Sequence, residues 1–294
     1  MMEVQAPKVL CFGEILWDCL PEGRYPGGSP LNVAYHLSRL GCSAWPVSRV
    51  GNDSGGRELL KQLADWGVST ELIGITTNSQ TGRVNVTLDR GSPTFDIVED
   101  VAWDYIGLPE RLPASCRPID AVVYGSVAQR TTHNREVLQQ LFDRTPEALR
   151  VFDVNMRSPY DAPARIRALA RTADLLKLSD EEAVILLDQS SPLKDIEASA
   201  RALQQQTGCE RVCITAGASG GGLLYNDMWH WVDSVPVEVR DTVGAGDSFL
   251  AALLQGLLLS PDGPAAALKR AATLASLVVG SEGATPRYTA DGLF

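Results

Sequence analysis

The chain has 294 residues, of which 26 are Lys or Arg and 36 are Asp or Glu, giving a formal charge of −10; 45% are hydrophobic. This balance argues against neutralising a run of nucleic-acid phosphates, yet it leaves room for one nucleotide, whose charge helix N-termini and Mg²⁺ can meet. The N-terminal stretch lacks a signal-peptide pattern, and the longest apolar run, residues 249–259, is too short to cross a bilayer. Cys11, Cys19, Cys42, Cys116, Cys209 and Cys213 form no C-x-x-C pair, so reduced thiols in a cytoplasmic protein are expected.

In chain order, residues 9–12 read as a buried strand closed by Gly13. Residues 31–40 carry apolar side chains at helical spacing and stop at Gly41. Residues 44–50 read as a strand and residues 55–66 as a helix closed by Gly67. Residues 121–124, 150–152, 174–178 and 211–215 are short apolar runs separated by helical stretches, the pattern of a parallel sheet with crossover helices on both faces. Residues 72–75, 83–88 and 94–98 are β-type runs with no helix between them, the last two joined by Asp89-Arg90-Gly91-Ser92-Pro93. They predict a small antiparallel sheet projecting as a lid, which residues 15–20 can join. The expected architecture is therefore one α/β domain over residues 1–294, with three layers, a mostly parallel central sheet and a β lid from about residues 14–28 and 72–104.

The strongest motif is Asp241-Thr242-Val243-Gly244-Ala245-Gly246-Asp247-Ser248-Phe249, leading into an apolar helix. Small residues there let backbone approach a ligand, and a helix start offers free N–H groups and a positive dipole end. A carboxylate in the same turn suits phosphoryl transfer: the amides of Gly244, Ala245 and Gly246 hold phosphoryl oxygens while Asp247 accepts the hydroxyl proton. Gly27-Gly28-Ser29-Pro30-Leu31-Asn32 is a flexible turn before a helix, suited to close hydrogen bonding of sugar hydroxyls. Gly217, Ser219 and Gly221 spell the hydrolase elbow pattern, but a strand rather than a helix follows, and no P-loop motif occurs.

Residues 241–249 resemble the C-terminal signature of the ribokinase or PfkB family of carbohydrate kinases. Residues 27–41 resemble its N-terminal signature, and Gly283-Ala284-Thr285-Pro286 its nucleotide-side loop, so the resemblance spans essentially the whole chain. It implies a ribokinase-like fold and ATP-dependent phosphorylation of a sugar. Asp247 would be the base, and Asp18, Gly27, Gly28 and Asn32 would hold the sugar, with Arg83 of the lid as a further candidate. On the nucleotide side, Thr215, Gly217 and Gly220 match the family's T-x-G-x-x-G turn, and Asp153-Val154-Asn155-Met156-Arg157 resembles a D-x-N-x-R element that brings Arg157 to phosphate. Ser179-Asp180-Glu181-Glu182 resembles N-x-x-E, with Ser179 where Asn is usual and Glu182 organising Mg²⁺ through water; a capping box would need the same residues. A K⁺ site around Asp241 and Val243 is common in the family, although Arg287 stands where a small polar residue is usual. The elements at 125–130, 153–157 and 179–182 look most like bacterial fructokinases, so fructose is the expected substrate. The alternatives are 2-keto-3-deoxygluconate, a nucleoside, or sugar binding without catalysis. Asp96, Glu99, Asp100 and Asp104 are expected to repel a sugar acid, while Arg83, Arg90, Arg130 and Arg157 are the cations that could hold one. An exposed lid edge would be a natural homodimer surface.

Overall fold

Val9 and Cys11 enter one apolar core while Leu10 and Phe12 enter another, so the first strand is covered on both faces and reads as a continuous apolar run. The arrangement comes from a computed structural model, described for residues 5–89, 92–259, 262–291 and 293. The chain runs β1 (Lys8–Phe12), β2 (Leu16–Leu20), β3 (Gly23–Gly27), α1 (Ser29–Arg39), β4 (Ser43–Gly51), α2 (Ser54–Asp65), β5 (Ile73–Thr76), β6 (Gly82–Asp89) and β7 (Ser92–Ile97). Then come β8 (Ala121–Gly125), α3 (Thr132–Arg144), β9 (Leu149–Asp153), α4 (Pro163–Ala170), β10 (Leu175–Ser179), α5 (Asp180–Leu186) and α6 (Ile196–Thr207). The last elements are β11 (Arg211–Thr215), β12 (Gly221–Tyr225), β13 (Met228–Val232), α7 (Ala245–Leu259) and α8 (Gly263–Val279).

Among the described residues nine strands form one sheet in the order β13-β12-β11-β10-β9-β8-β1-β4-β5. Pairing is parallel from β5 through β11 and antiparallel for β12 and β13. Helices α1, α2, α7 and α8 pack on one face, and α3 to α6 on the other. The strand order reverses at β1, which neighbours both β4 and β8, so the loops leaving the C-terminal ends of these strands open a crevice at the switch point.

The lid has the order β3-β2-β6-β7. Its outer pairs are antiparallel, but β2 and β6 run parallel. Residues 73–76, expected in the lid, instead pair with β4 as the edge of the main sheet. The physical reason is burial: Leu72 and Ile73 pack into the two cores beneath the sheet, which a strand projecting toward solvent would forfeit.

The segment returning from the lid is fixed by Arg130. Its guanidinium grips Asp104 with two 2.7 Å bonds, and both side chains are only 4% exposed. It also donates to the Val98 carbonyl and lies 4.0 Å from the Trp103 ring centroid and 4.8 Å from that of Tyr160. Removing one partner of such a pair strands the other charge in a poorly solvated site. Arg130→Ala is therefore expected to lower the unfolding free energy by about 3–5 kcal/mol in urea denaturation, and a change below about 1 kcal/mol would show the pair to be energetically idle.

Candidate active site

The first turns of α1 and α7 meet at the mouth of the crevice. Asp247, in the first turn of α7, accepts from Ser29 Oγ through Oδ1 and from Asn32 Nδ2 through Oδ2, each at 2.7 Å. Among the described residues the amides of Gly244, Gly246 and Asp247 find no protein acceptor, as expected of a helix start. The Ala245 amide, expected to join them, instead closes a turn onto the Thr242 carbonyl at 3.3 Å. The unpaired donors are therefore those of 244, 246 and 247.

Lys177 was not singled out from the sequence as a site residue, yet it lies in the same space. It projects from β10 on the face that its register partner Asp153 also uses. Its Nζ meets Asp153 Oδ1 at 2.9 Å, with both side chains buried. A Cβ added to Gly246 would stand 2.8 Å from that ammonium, so Gly246 is what lets the cation lie under the helix start. Burial pulls Lys177 toward its neutral form, but Asp153, Glu182 and Asp247 outweigh it and raise its pKa. A lysine inside Leu175-Leu176-Lys177-Leu178 was the available signal, since a cation in a two-sided buried strand needs a partner.

In the turn before α1, Gly27 and Gly28 are required sterically. A Cβ on Gly27 would overlap the Asp18 carboxylate at 2.1 Å, and one on Gly28 would meet the Glu14 carbonyl at 2.3 Å. Gly28 also has φ 112°. Arg83 is not brought to this group. In the β2–β6 register Trp17 faces Arg83 and Asp18 faces Val84, so Arg83 is on the opposite face of the lid from Asp18. There it is exposed and reaches Gln80 at 3.4 Å. The amphipathic alternation of a strand made this decidable only once the register was known.

Ser179 and Thr215 are register neighbours at the ends of β10 and β11. Residues 216–220 fold back on themselves, Ala216 N–H donating to the Gly220 carbonyl at 2.8 Å, and Gly217 and Gly220 both have positive φ. Ser179 Oγ accepts from the Glu182 amide, and Glu182 Oε2 accepts from the Ser179 amide at 2.8 Å, a capping box. Glu182 Oε1 accepts from the Met156 amide at 2.6 Å, tying β9's exit to α5. Arg157 follows on an exposed stretch, its Nη1 donating to the Met156 carbonyl at 2.7 Å. Asp241 accepts from the Val243 amide at 3.0 Å and from the Gly283 amide at 3.1 Å, which joins the anion-hole loop to the C-terminal segment.

Among the described residues no group of three or more His, Cys, Asp or Glu could hold a metal. Glu182 is a lone acidic contact with one lone pair left on each oxygen. That donor set fits Mg²⁺ carried by nucleotide phosphates and its own waters, not a protein-built cage.

The sequence profile described as pfkB family carbohydrate kinase matches residues 1–290. The chain belongs to this family. It is 33% identical over 242 residues to a Pyrococcus horikoshii sugar kinase, covering 80% of this chain and 74% of that one. It is 30% identical over 266 residues to a Klebsiella pneumoniae fructokinase, covering 85% and 84%. The structure of a Xylella fastidiosa fructokinase with bound ATP superposes with a TM-score of 0.81 at 26% identity, over 94% of this chain and 93% of that one. The protein is an ATP-dependent carbohydrate kinase with the ribokinase-like fold. Among the described residues, no helix of the kinase is long and apolar enough to cross a membrane.

The kinase crowds acids beside the Gly27-Gly28 turn. Burial pushes the Asp18 carboxyl up to about 6; Arg157 opposes the shift and Asp247 adds to it. Glu14, 3% exposed and not anticipated from the sequence, is pushed up to about 7, first by burial, with amides of its own and of Ser29 opposing and Asp247 adding. Its Oε2 is buried without a hydrogen-bond partner. Because the folded-state value lies above the ordinary 4.5, the folded kinase holds this proton more tightly than the unfolded chain. The resulting stability is present below pH 4.5 and is lost as pH rises through 7. Glu14→Gln should therefore stabilise the kinase by about 3 kcal/mol more at pH 8 than at pH 4. Denaturation of both proteins at the two pH values measures this, and an equal offset at both would remove the charge-burial explanation.

Proposed function

We propose that this kinase transfers the terminal phosphoryl group of ATP to a hydroxyl of fructose. The observation that carries the transfer step is Asp247 at a helix start whose amides are unpaired, with the Lys177 ammonium directly beneath. In this reading the sugar hydroxyl gives its proton to Asp247 as its oxygen bonds to phosphorus and ADP leaves. Ser29 and Asn32 orient the carboxylate, and each of its oxygens keeps a lone pair for the substrate. The amides of 244, 246 and 247, with Lys177, stabilise charge on the moving group. Asp18, Gly27, Gly28 and Asn32 bind the sugar. Ser179, Thr215, Gly217, Gly220 and Arg157 line the nucleotide side. Mg²⁺, with Glu182 as its outer contact, would neutralise the phosphates, and carbonyls near Asp241 and Val243 would hold K⁺.

The choice of fructose over a sugar acid rests on where the cations are. Arg130 is locked to Asp104, Arg83 is on the other face of the lid, and Arg90 lies outside the described residues. Of these four cations, Arg157 is the one described near Asp18, and in this reading it serves the ATP phosphates. The lid acids are partnered: Asp104 pairs with Arg130, Glu99 accepts from Tyr160 Oη at 2.5 Å, Asp100 from Tyr105 Oη at 2.6 Å, and Asp96 from Asn85 at 3.1 Å. In this reading Asp18, ionised above about pH 6, disfavours a substrate carboxylate while accepting from neutral hydroxyls.

Asp247→Asn should lower kcat about 10²–10⁴-fold with sugar affinity kept within a few-fold; turnover near that of the parent would remove Asp247 as base. At saturating MgATP, fructose should show a kcat/KM at least about tenfold above that of 2-keto-3-deoxygluconate. The reverse order would reassign the substrate, and no ADP release with any sugar would favour a binding protein.

A further inference from the structure

His36 lies one turn beyond Asn32 on α1 and is fully buried. It does not face the sugar side. Its Nε2 is 2.9 Å from the Ala284 carbonyl and its Nδ1 is 2.9 Å from the Tyr288 hydroxyl. A carbonyl can only accept, so Nε2 carries the proton and Nδ1 accepts from Tyr288. Burial lowers the imidazole's pKa to about 4, which keeps it in this neutral tautomer at ordinary pH. The ring stacks on Tyr288, with centroids 5.7 Å apart. Tyr35 Oη donates to the Pro286 carbonyl at 2.7 Å, and Arg39 Nε to the Tyr288 carbonyl at 3.1 Å.

The segment 283–288 is thus held between two partners. On one side is α1, whose first turn grips Asp247. On the other is the anion-hole loop: Gly283 N–H bonds Asp241, and a Cβ on Gly244 would lie 2.6 Å from that of Ala284. Ala284 therefore touches the anion-hole turn with its methyl group and His36 with its carbonyl.

We infer that His36 is a positioning residue for phosphoryl transfer, fixing residues 283–288 so that Ala284 sets the turn at Gly244 and aims the amides of 244–247 while α1 aims Asp247. This rests on the phosphoryl-transfer reading of the site, and it adds a coupling: the helix that orients the base also sets the anion hole. A shift of the hole relative to the base is costly, because misplacement of about 1 Å can lower rate by about a hundredfold.

The test compares His36→Leu, His36→Asn and His36→Gln in the full chain. Gln places an N–H near the Nε2 position and can still bond Ala284; Asn reaches only the Nδ1 position; Leu bonds neither. Expected is a fall in kcat of about tenfold or more for Leu and Asn at saturating MgATP and fructose, with Gln within about threefold of the parent. Hydrogen–deuterium exchange of the hydrogen-bonded amides of Ala245, Ser248 and Gly283 should accelerate about tenfold in Leu and Asn but not in Gln. The exchange measurement does not depend on which sugar is phosphorylated, so failure of fructose as substrate would not be confused with failure of this inference. Equal losses in all three variants that track their melting temperatures would reduce His36 to a packing residue and overturn it. Unchanged exchange at Ala245, Ser248 and Gly283 in His36→Leu would overturn it as well.

Discussion

Too many negative charges share one crevice, and the rest of the site follows from how they are kept apart. Glu14, Asp18, Asp153, Glu182 and Asp247 all approach the switch point of the sheet, where ATP would bring several more charges. Lys177 is the buried cation among them, and its raised pKa reflects three acidic neighbours. Backbone amides do much of the remaining work: Glu182 takes two, Asp241 takes two, and the α7 helix start leaves others unpaired. Such donors cannot be neutralised or swing away, which suits a site where charge must move without reorganisation. The acids beside the Gly27-Gly28 turn give way instead, with Asp18 and Glu14 raised toward neutrality.

The three-layer fold was legible because two-sided burial leaves a local trace: runs such as Ala121-Val122-Val123-Tyr124 are apolar at every position. Asp247 and the glycine turn were legible because a helix start, small residues and an acid lie within one short stretch. What escaped was non-local. Residues 72–75 have the composition of a lid strand, and only their packing assigns them to the main sheet. Arg83 and Arg130 look alike as free cations in sequence, yet register turns one away from Asp18 and Asp104 captures the other. Glu14 carries no local signal, because the close packing around it comes from the turn at Gly28.

The stretch Ser179 to Glu182 shows why a structural and a functional reading of the same residues need not compete. Its capping box is fully formed. The geometry that caps α5 also turns the Glu182 carboxylate toward Lys177 and the exit of β9. A residue with one lone pair per oxygen already committed is rigid, and rigidity is what an outer contact to a hydrated ion requires. The substitution of Ser179 for the usual Asn preserves the cap, since either side chain can accept from the helix start.

The bonds from Ser29 and Asn32 to Asp247 join residues 218 and 215 positions apart, and β2 joins β6 across α1, β4, α2 and β5. Contacts of such long sequence separation form late, because the loops they close carry a large entropic cost until the intervening sheet exists to hold their ends. During synthesis the sugar-side turn emerges long before its base, and the hairpin of β2 and β3 must wait for β6 with one edge open. Until β6 is made, the chain has neither an assembled site nor a complete lid sheet, and β2 presents an unpaired edge of the kind that invites wrong pairing.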